Sequence, residues 1–370
     1  MSYNPSYMKP FFNQKLPIIS FTCTEKYVYI ATKKKIFRSS INPNSIDEST
    51  SANLPNSNQN CLNIYNISVD QKSTLILIKT DSNFFISSEE NFGKEMWTPV
   101  KLDFNYNKYM HFAAFKRGQY AVFVDSQNIH LYWFGLGQKL GEKSYPVMEI
   151  KSKPIPHRLK DPIDVLSTAD TICIYDKKGY KIYNSKLDEL LYQPILKPFR
   201  CVTPIIGNNS YCAIQDNNTL IQLYDDRKLI REEIRFPEVV ISLQVRLPYV
   251  CAISQKNFMY YLTVSNIENN IFALPKDMKT KFPALLSMCN KNKYSLFYAS
   301  DDTLWSIRHN KKHDQDYLTS QSKWDQLVEM NVLMKSDLDE FYYSMAENMF
   351  AKREYSKAFE AFKKSKKSPF

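Results

Sequence analysis

The sequence predicts a mainly β chain, a seven-bladed β-propeller followed by a short α-helical hairpin of the kind that starts an α-solenoid. Three observations carry this expectation. Asp161 to Asn184 reads as one strand–turn–strand unit, with Ile172 and Ile174 before an Asp176-Lys177-Lys178-Gly179 corner and Tyr180, Ile182 and Tyr183 after it. The same rhythm recurs along most of the chain before Asn310, in about seven units spaced roughly 45 residues apart. Beyond His309 the apolar spacing turns from alternating to helical.

Residues 1–15 read as a Pro/Asn-rich lead-in and residues 16–310 as the propeller. In the first unit, LPIISFTCTEKYVYIATKKKIFRSSI gives two strands around Glu25-Lys26 and a third beyond Thr32-Lys33-Lys34. Residues 42–60 carry Ser, Asn, Pro and Asp with hardly any apolar residue, and read as a long exposed insertion loop. CLNIYNISV, STLILIKT and NFFISSEE form the second unit, and MHFAAFK, QYAVFVD and IHLYWFG the third. YPVMEIKSKPI joins the Asp161–Asn184 hairpin to make the fourth. RCVTPII, SYCAIQ, TLIQLYD and LIREEIRF make the fifth, with turn residues at Gly207-Asn208-Asn209 and Asp216-Asn217-Asn218. VVISLQV, YVCAISQ, NFMYYLTV and NNIFALP follow as the sixth, then ALLSMC, YSLFYAS and TLWSIRH as the seventh. Six or eight units also fit the strand spacing, and a ring of such sheets leaves few free edges.

Residues 311–370 read as helical. Ser336 is placed as an N-cap, Asp337, Asp339 and Glu340 crowd the first turn as the helix dipole prefers, and Tyr355 to Ser365 carries Ala358, Phe359, Ala361 and Phe362 on one face. The helix pair fits the first repeat of a solenoid and a terminal cap on the propeller equally well. The chain stops at Ser368-Pro369-Phe370 where a further repeat is expected, as in an excised fragment or a chain whose long tail was lost.

An apolar content of 44% is enough for a sizeable core. The seven cysteines are widely spaced and sit in runs such as TICIY and YVCAI, so they read as buried free thiols of a reducing compartment. No apolar run reaches the roughly 20 residues of a membrane span, and MSYNPSYMKPFFNQ lacks a signal-peptide layout. The expectation is a cytoplasmic chain with at most peripheral membrane contact. Its net charge of +11 is dispersed along the chain, which argues against a nucleic-acid partner.

P-loop, GxGxxG, GxSxG and HExxH motifs are absent, and His111, His130, His157, His309 and His313 show no ligand-like grouping beyond the last pair in a polar linker. No catalytic, cofactor or metal site is therefore expected, and the chain reads as a non-enzyme. Lys33, Lys34, Lys35, Lys177 and Lys178 form a candidate basic interaction surface if their corners share a face, solvated turns being the plainer reading. Tyr132, Trp133, Tyr180, Tyr183, Tyr260, Tyr261 and Trp305 read as strand aromatics filling inter-blade space, with Trp305 and Trp324 marking the propeller–helix junction.

KYVYIATKKKIFRSSI resembles the opening strands of citron homology (CNH) domains, with Ala31 where that family usually has glycine. DPIDVLSTADTICIYDKKGYKIYN resembles their Lys-Lys-Gly-Tyr hairpin, and RLPYVCAISQKNFMYYLTVS is similar to a later strand pair. KYSLFYASDDTLWSIRH resembles the last blade of the vacuolar tethering members, which leads into a helical solenoid, as SKWDQLVEMNVLMK and FYYSMAENMFAKREYSKAFEAFKKSKKSP do here. Within the family the order is similar to the vacuolar protein sorting thirty-nine (vacuolar morphogenesis) and TGF-beta receptor-associated types of HOPS and CORVET subunit. The resemblance implies a tether that recognises a membrane-bound Rab-type small GTPase, binds other HOPS/CORVET subunits and sits peripherally on late endosome or vacuole. A general propeller–solenoid scaffold, or a regulatory CNH module without Rab binding, is the alternative.

Overall fold

The structure is a computed structural model that describes residues 8–13, 15–24, 26–41, 50–55, 58–68, 74–94, 97–115, 120–136, 146–150, 153–168, 170–184, 186–194, 197–205, 210–223, 234–236, 238–246, 249–256, 259–266, 271–273, 284–288, 295–300, 302–308 and 338–365. The chain divides into two compact units, Met1–His309 and Asn310–Phe370.

The first unit opens with β1 (Met8–Asn13) and continues as seven antiparallel sheets among the described residues. Blade one is β2 (Ile18–Cys23), β3 (Tyr27–Thr32), β4 (Lys35–Ser40) and β5 (Thr50–Asn53). Blade two is β6 (Cys61–Ser68), β7 (Thr74–Thr80), β8 (Phe84–Ser88) and β9 (Thr98–Pro99). Blade three is β10 (His111–Phe115), β11 (Tyr120–Val124), β12 (Asn128–Leu136) and β13 (Pro146–Ile150), with β14 (Ile155–Pro156) also paired to β12. Blade four is β15 (Asp164–Ser167), β16 (Thr171–Tyr175), β17 (Gly179–Asn184) and β18 (Glu189–Pro194). Blade five is β19 (Phe199–Pro204), β20 (Tyr211–Gln215), β21 (Thr219–Leu223) and β22 (Ile234–Arg235). Blade six is β23 (Val239–Arg246), β24 (Tyr249–Lys256), β25 (Met259–Asn266) and β26 (Ile271–Ala273). Blade seven is β27 (Ala284–Met288), β28 (Ser295–Ser300) and β29 (Thr303–Arg308), completed by β1 in the order β1-β29-β28-β27.

Three sequence expectations change. The lead-in of residues 1–15 contains the strand that closes the ring, with Met8 opposite Ile307 and Asn13 opposite Thr303. The insertion loop of residues 42–60 contains β5, a short polar strand held by its ladder to β4, with Ala52 its buried residue. YPVMEIKSKPI belongs to blade three, because β13 and β14 both pair with β12. Alternation within a strand shows which side chains share a face, but not which neighbour completes the ladder.

The second strand of each of blades one to six is buried on both faces, which explains the near-continuous apolar runs there. Along β11, Ala121 and Phe123 join the core shared with Leu75, Leu77 and Phe84 of blade two. The intervening Val122 and Val124 join the core shared with Ile172, Ile174 and Tyr183 of blade four. Cys173 and Tyr175 of β16 in turn meet Tyr211 and Ala213 of blade five. Each fully buried Val, Ile or Phe of these layers contributes about 1.5–3 kcal/mol by leaving water. The ring logic is complete where blade one shares a core with blade seven, Val28, Ile30 and Phe37 packing with Phe297, Ala299 and Leu304. Tyr132, Tyr180 and Tyr183 are buried as expected of inter-blade aromatics, while Trp133 and Trp305 are half-buried. The side chains of Tyr260 and Tyr261 lie outside the described residues.

The second unit contains α1 (Leu338–Ala351) and α2 (Tyr355–Lys364). Asp339 and Glu340 occupy the first turn of α1, and Lys363 and Lys364 the last turn of α2, each favoured by the helix dipole. Arg353, at φ 63°, turns the chain between them. Met345, Ala346 and Met349 of α1 and Ala358 and Ala361 of α2 are buried. Phe359 departs from the expected shared face: one residue beyond Ala358 is a step of about 100° around the helix, and its ring is 62% exposed. Ser336 and Trp324 lie outside the described residues.

Candidate recognition face of the propeller

In an antiparallel blade, the turn between the second and third strands emerges on the same face as the link to the next blade. In blades one to four those turns are built around one short side chain each. Thr32 Oγ1 accepts from Lys35 N at 3.1 Å, and Thr80 Oγ1 accepts from Asn83 N at 3.1 Å. Asp125 Oδ1 accepts from Gln127 N at 2.7 Å and Asn128 N at 2.6 Å, and Asp176 Oδ1 from Lys178 N at 2.6 Å and Gly179 N at 2.8 Å. Such side-chain bonds pre-form a turn without help from the rest of the fold.

On this face a groove of about 920 Å³ opens across blades two to four. Its walls come from the blade-two turn (Asp81), the link between blades two and three (Asn105, Lys108, Tyr109), the blade-three turn (Asp125 to Asn128) and the link to blade four (Asp161, Pro162). Tyr109 is 71% exposed, and the Lys108 ammonium lies 5.1 Å from its ring centroid.

Beneath the groove, polar groups lock the wall. The Asp125 carboxylate meets His130 Nε2 at 2.9 Å, and its backbone carbonyl accepts from the fully buried His157 Nε2 at 3.1 Å. His157 Nδ1 accepts from Leu159 N at 3.1 Å, so the ring is neutral with its proton on Nε2. Burial is the main reason its pKa is lowered below the ordinary histidine value. Burial pushes the Asp125 carboxyl upward, yet the bonds from His130, Gln127 and Asn128 outweigh it and hold the group below its usual value. The His130 ring stacks on Phe104 with centroids 3.7 Å apart. Arg158 and Asp161 of the same link adopt left-handed φ values of 59° and 62°, and Lys160 N donates to Asp176 Oδ2 at 3.0 Å, tying the link to blade four.

The inner end of the groove meets the starts of β10 and β15. His111 Nδ1 stands 3.3 Å from Asp164 Oδ1, and Lys79 donates its ammonium to the Met110 carbonyl. Desolvation holds Lys79 below the ordinary lysine value, opposed by the charge of Asp164. Among the described residues no group of three or more His, Cys, Asp or Glu side chains is arranged to hold a metal. No described helix is long and apolar enough to cross a membrane.

Lys33, Lys34, Lys177 and Lys178 sit on the corresponding turns of blades one and four and are exposed, with Lys35 beginning β4. The turns share a face of the ring but stand three blades apart, so they do not make one patch. Lys34 Nζ also donates to the Gln59 carbonyl at 2.9 Å. Trp305 pairs in register with Tyr298 and Pro10 within blade seven. His309 and His313 lie outside the described residues. The groove residues escape a reading of single segments because four separate links contribute them; the paired Asp-x-x-Asn and His130 on one short hairpin are the one local signal.

The sequence matches no protein family in a family comparison, and no curated protein matches it. Among solved structures, the AfRom2 CNH domain superposes with a TM-score of 0.53 at 11% identity, covering 82% of this chain and 100% of that one. Raptor of Chaetomium thermophilum gives a TM-score of 0.58 at 12% identity, covering 82% of this chain and 30% of Raptor. U3-55K gives 0.54 at 11% identity over 83% of this chain and 100% of that one. The fold is thus a β-propeller of the CNH-like kind.

Proposed function

We propose that this chain is a non-enzymatic recognition module, a scaffold or regulatory propeller whose groove face captures a protein partner. The observation that carries this reading is the groove around Asp125, lined by both polar and apolar groups, braced by hydrogen bonds from beneath, and carrying an exposed tyrosine at its lip. Pre-organised walls and an aromatic contact are what a transient protein interface of ordinary size uses.

The finer reading is a HOPS/CORVET-like tethering subunit, cytoplasmic and peripheral on late endosome or vacuole, that recognises a Rab-type small GTPase and binds other tether subunits. It is supported by the resemblance of KYVYIATKKKIFRSSI and DPIDVLSTADTICIYDKKGYKIYN to citron homology strands and by the order of propeller then helical pair. The test is binding of the purified chain to a panel of endosomal Rab proteins, loaded with GTP analogue or GDP at physiological salt so that the +11 charge does not dominate. GTP-selective binding that Tyr109→Ala weakens supports the tether. Absence of binding, or binding indifferent to nucleotide, removes the Rab reading and leaves the scaffold, whose partners copurification would identify. Charge reversal at Lys33, Lys34, Lys177 and Lys178 that leaves membrane recruitment unchanged removes a membrane role for those turns.

A further inference from the structure

Two walls of the groove are joined by one fully buried imidazole, that of His157. Its Nε2 donates to the Asp125 carbonyl at 3.1 Å, on the wall that carries Gln127 and Asn128. Its Nδ1 accepts from Leu159 N at 3.1 Å, on the link that carries Asp161 and Pro162. The second bond closes a short loop around Arg158, whose φ of 59° is one that residues with a Cβ rarely adopt. Asp161, at φ 62°, repeats that conformation three residues on. Such backbone persists only where its surroundings over-determine it. Here the remaining ties are His157 N to Gln127 O at 3.1 Å, Lys160 N to Asp176 Oδ2 at 3.0 Å and Ile163 N to Tyr175 O at 2.8 Å.

The arrangement works for one protonation state of the ring. A neutral imidazole offers one donor and one acceptor, and both are in use. An imidazolium has two donors, so its Nδ1–H would face the Leu159 amide, donor against donor. The charges around the ring are Asp125 on the β11–β12 turn, with His130 of β12 bonded to its carboxylate, Asp176 on the β16–β17 turn and Lys181 of β17. Arg158, Lys160 and Asp161 lie on the link itself. Desolvation is the largest influence and keeps the ring neutral, with Asp125 and Asp176 opposing it and Lys181 adding to it. We propose that protonation of His157 is a switch of the groove: it breaks the bond to Leu159, releases the link from Arg158 to Pro162 and opens that wall. The opposite wall stays in place, because Nε2–H still reaches the Asp125 carbonyl. Acid thus loosens the partner's seat. This regulation rests on the reading of the groove as the site of capture.

The test is amide hydrogen exchange of the full chain between about pH 7.5 and about pH 5, with rates corrected for the intrinsic effect of pH. Protection of the Leu159 and Lys160 amides is expected to fall about tenfold over that range, which spans the ordinary histidine value, while β7 (Thr74–Thr80) keeps its protection. His157→Gln retains an amide donor for the Asp125 carbonyl and a carbonyl acceptor for Leu159 N without titrating, so its link should stay protected throughout. His130→Gln should open in acid as the wild type does. Should His157→Gln fail to fold, the nitrogen resonances of the wild-type imidazole decide. They are expected to pass from a neutral ring protonated at Nε2 to imidazolium in step with exchange of the link. Link protection independent of pH, an equal loss in His157→Gln, a loss shared by β7, acid opening abolished by His130→Gln, or opening without protonation of His157 overturns the proposal. The measurement needs no partner. A groove that captures nothing leaves the acid opening in place, and a link that stays closed in acid leaves capture by the groove standing, so the two failures are distinct.

Discussion

Asp125→Ala should destabilise the propeller by about 3–5 kcal/mol, and the figure follows from what the carboxylate holds. Two backbone amides, Gln127 N and Asn128 N, lose their acceptor, at about 1 kcal/mol each as for a lost helix cap. His130 loses its Nε2 partner, and its buried Nδ1 already has no hydrogen-bond partner among the described residues. Leaving a buried polar nitrogen unpaired adds about 1–3 kcal/mol. Asp125→Asn separates these contributions. Its side-chain oxygen still accepts from both amides and its amide donates to a neutral His130, so the loss should fall to about 1 kcal/mol. The assay is urea unfolding followed by tryptophan fluorescence, comparing midpoints at constant slope for the wild type and both variants. An Asp125→Ala loss below about 1 kcal/mol, or an Asn variant as damaged as the Ala variant, would refute the account of Asp125 as the hub of the groove wall.

Other consequences are as direct. The lowered pKa of His157 means that the unfolded chain takes up a proton first as pH falls, so stability should decline below about pH 6.5 and continue to decline towards the folded-state value. His157→Gln should flatten that slope between pH 7 and 5, and an unchanged slope would remove His157 from the account. Burial pushes the thiols of Cys61, Cys201 and Cys212 up to about 12, and raises those of Cys173 and Cys251 as well. A thiol reagent at pH 8 should therefore label Cys61, Cys173, Cys212 and Cys251 slowly in the native chain and rapidly in urea, with the half-buried Cys201 reacting ahead of them, and fast native labelling of any of the four contradicts their burial. In Gly179→Ala the new methyl would meet Gln193 O and Tyr192 Cε2 at 3.0 Å, so the variant should lose about 1 kcal/mol in the same urea assay, net of the reduced freedom of its unfolded chain. A gain in stability would show that β18 yields at no cost.

The hairpins were legible where one short side chain decides the turn locally. Thr32, Asp125 and Asp176 each bond amides two or three residues on, and the strands around them are apolar on both faces, so the segments announce themselves without their neighbours. β1 did not, because MKPFFN is stabilised by a partner at the opposite end of the unit, and such pairing leaves no mark in six residues. β5 did not, because TSAN owes its conformation to backbone bonds with β4 rather than to its own burial. The groove was hidden for the same reason at a larger scale. Its histidines were visible, but their convergence on Asp125 depends on the link between blades three and four folding back through His157.

The borrowed strand of blade seven also sets a schedule for biosynthesis. Of the propeller strands described, β1 leaves the ribosome before the others and its ladder partner β29 emerges about 300 residues later, a wait of roughly 15–60 s at 5–20 residues per second. Throughout that interval six blades can stack in sequence while the nascent ring stays open, with an unpaired strand at one end awaiting its mate. Pro10, which has no amide hydrogen to offer, makes that waiting strand a poor template for other chains. Closure is therefore the last event available to the propeller, and a bulky amino-terminal fusion should delay it while leaving the assembled blades intact.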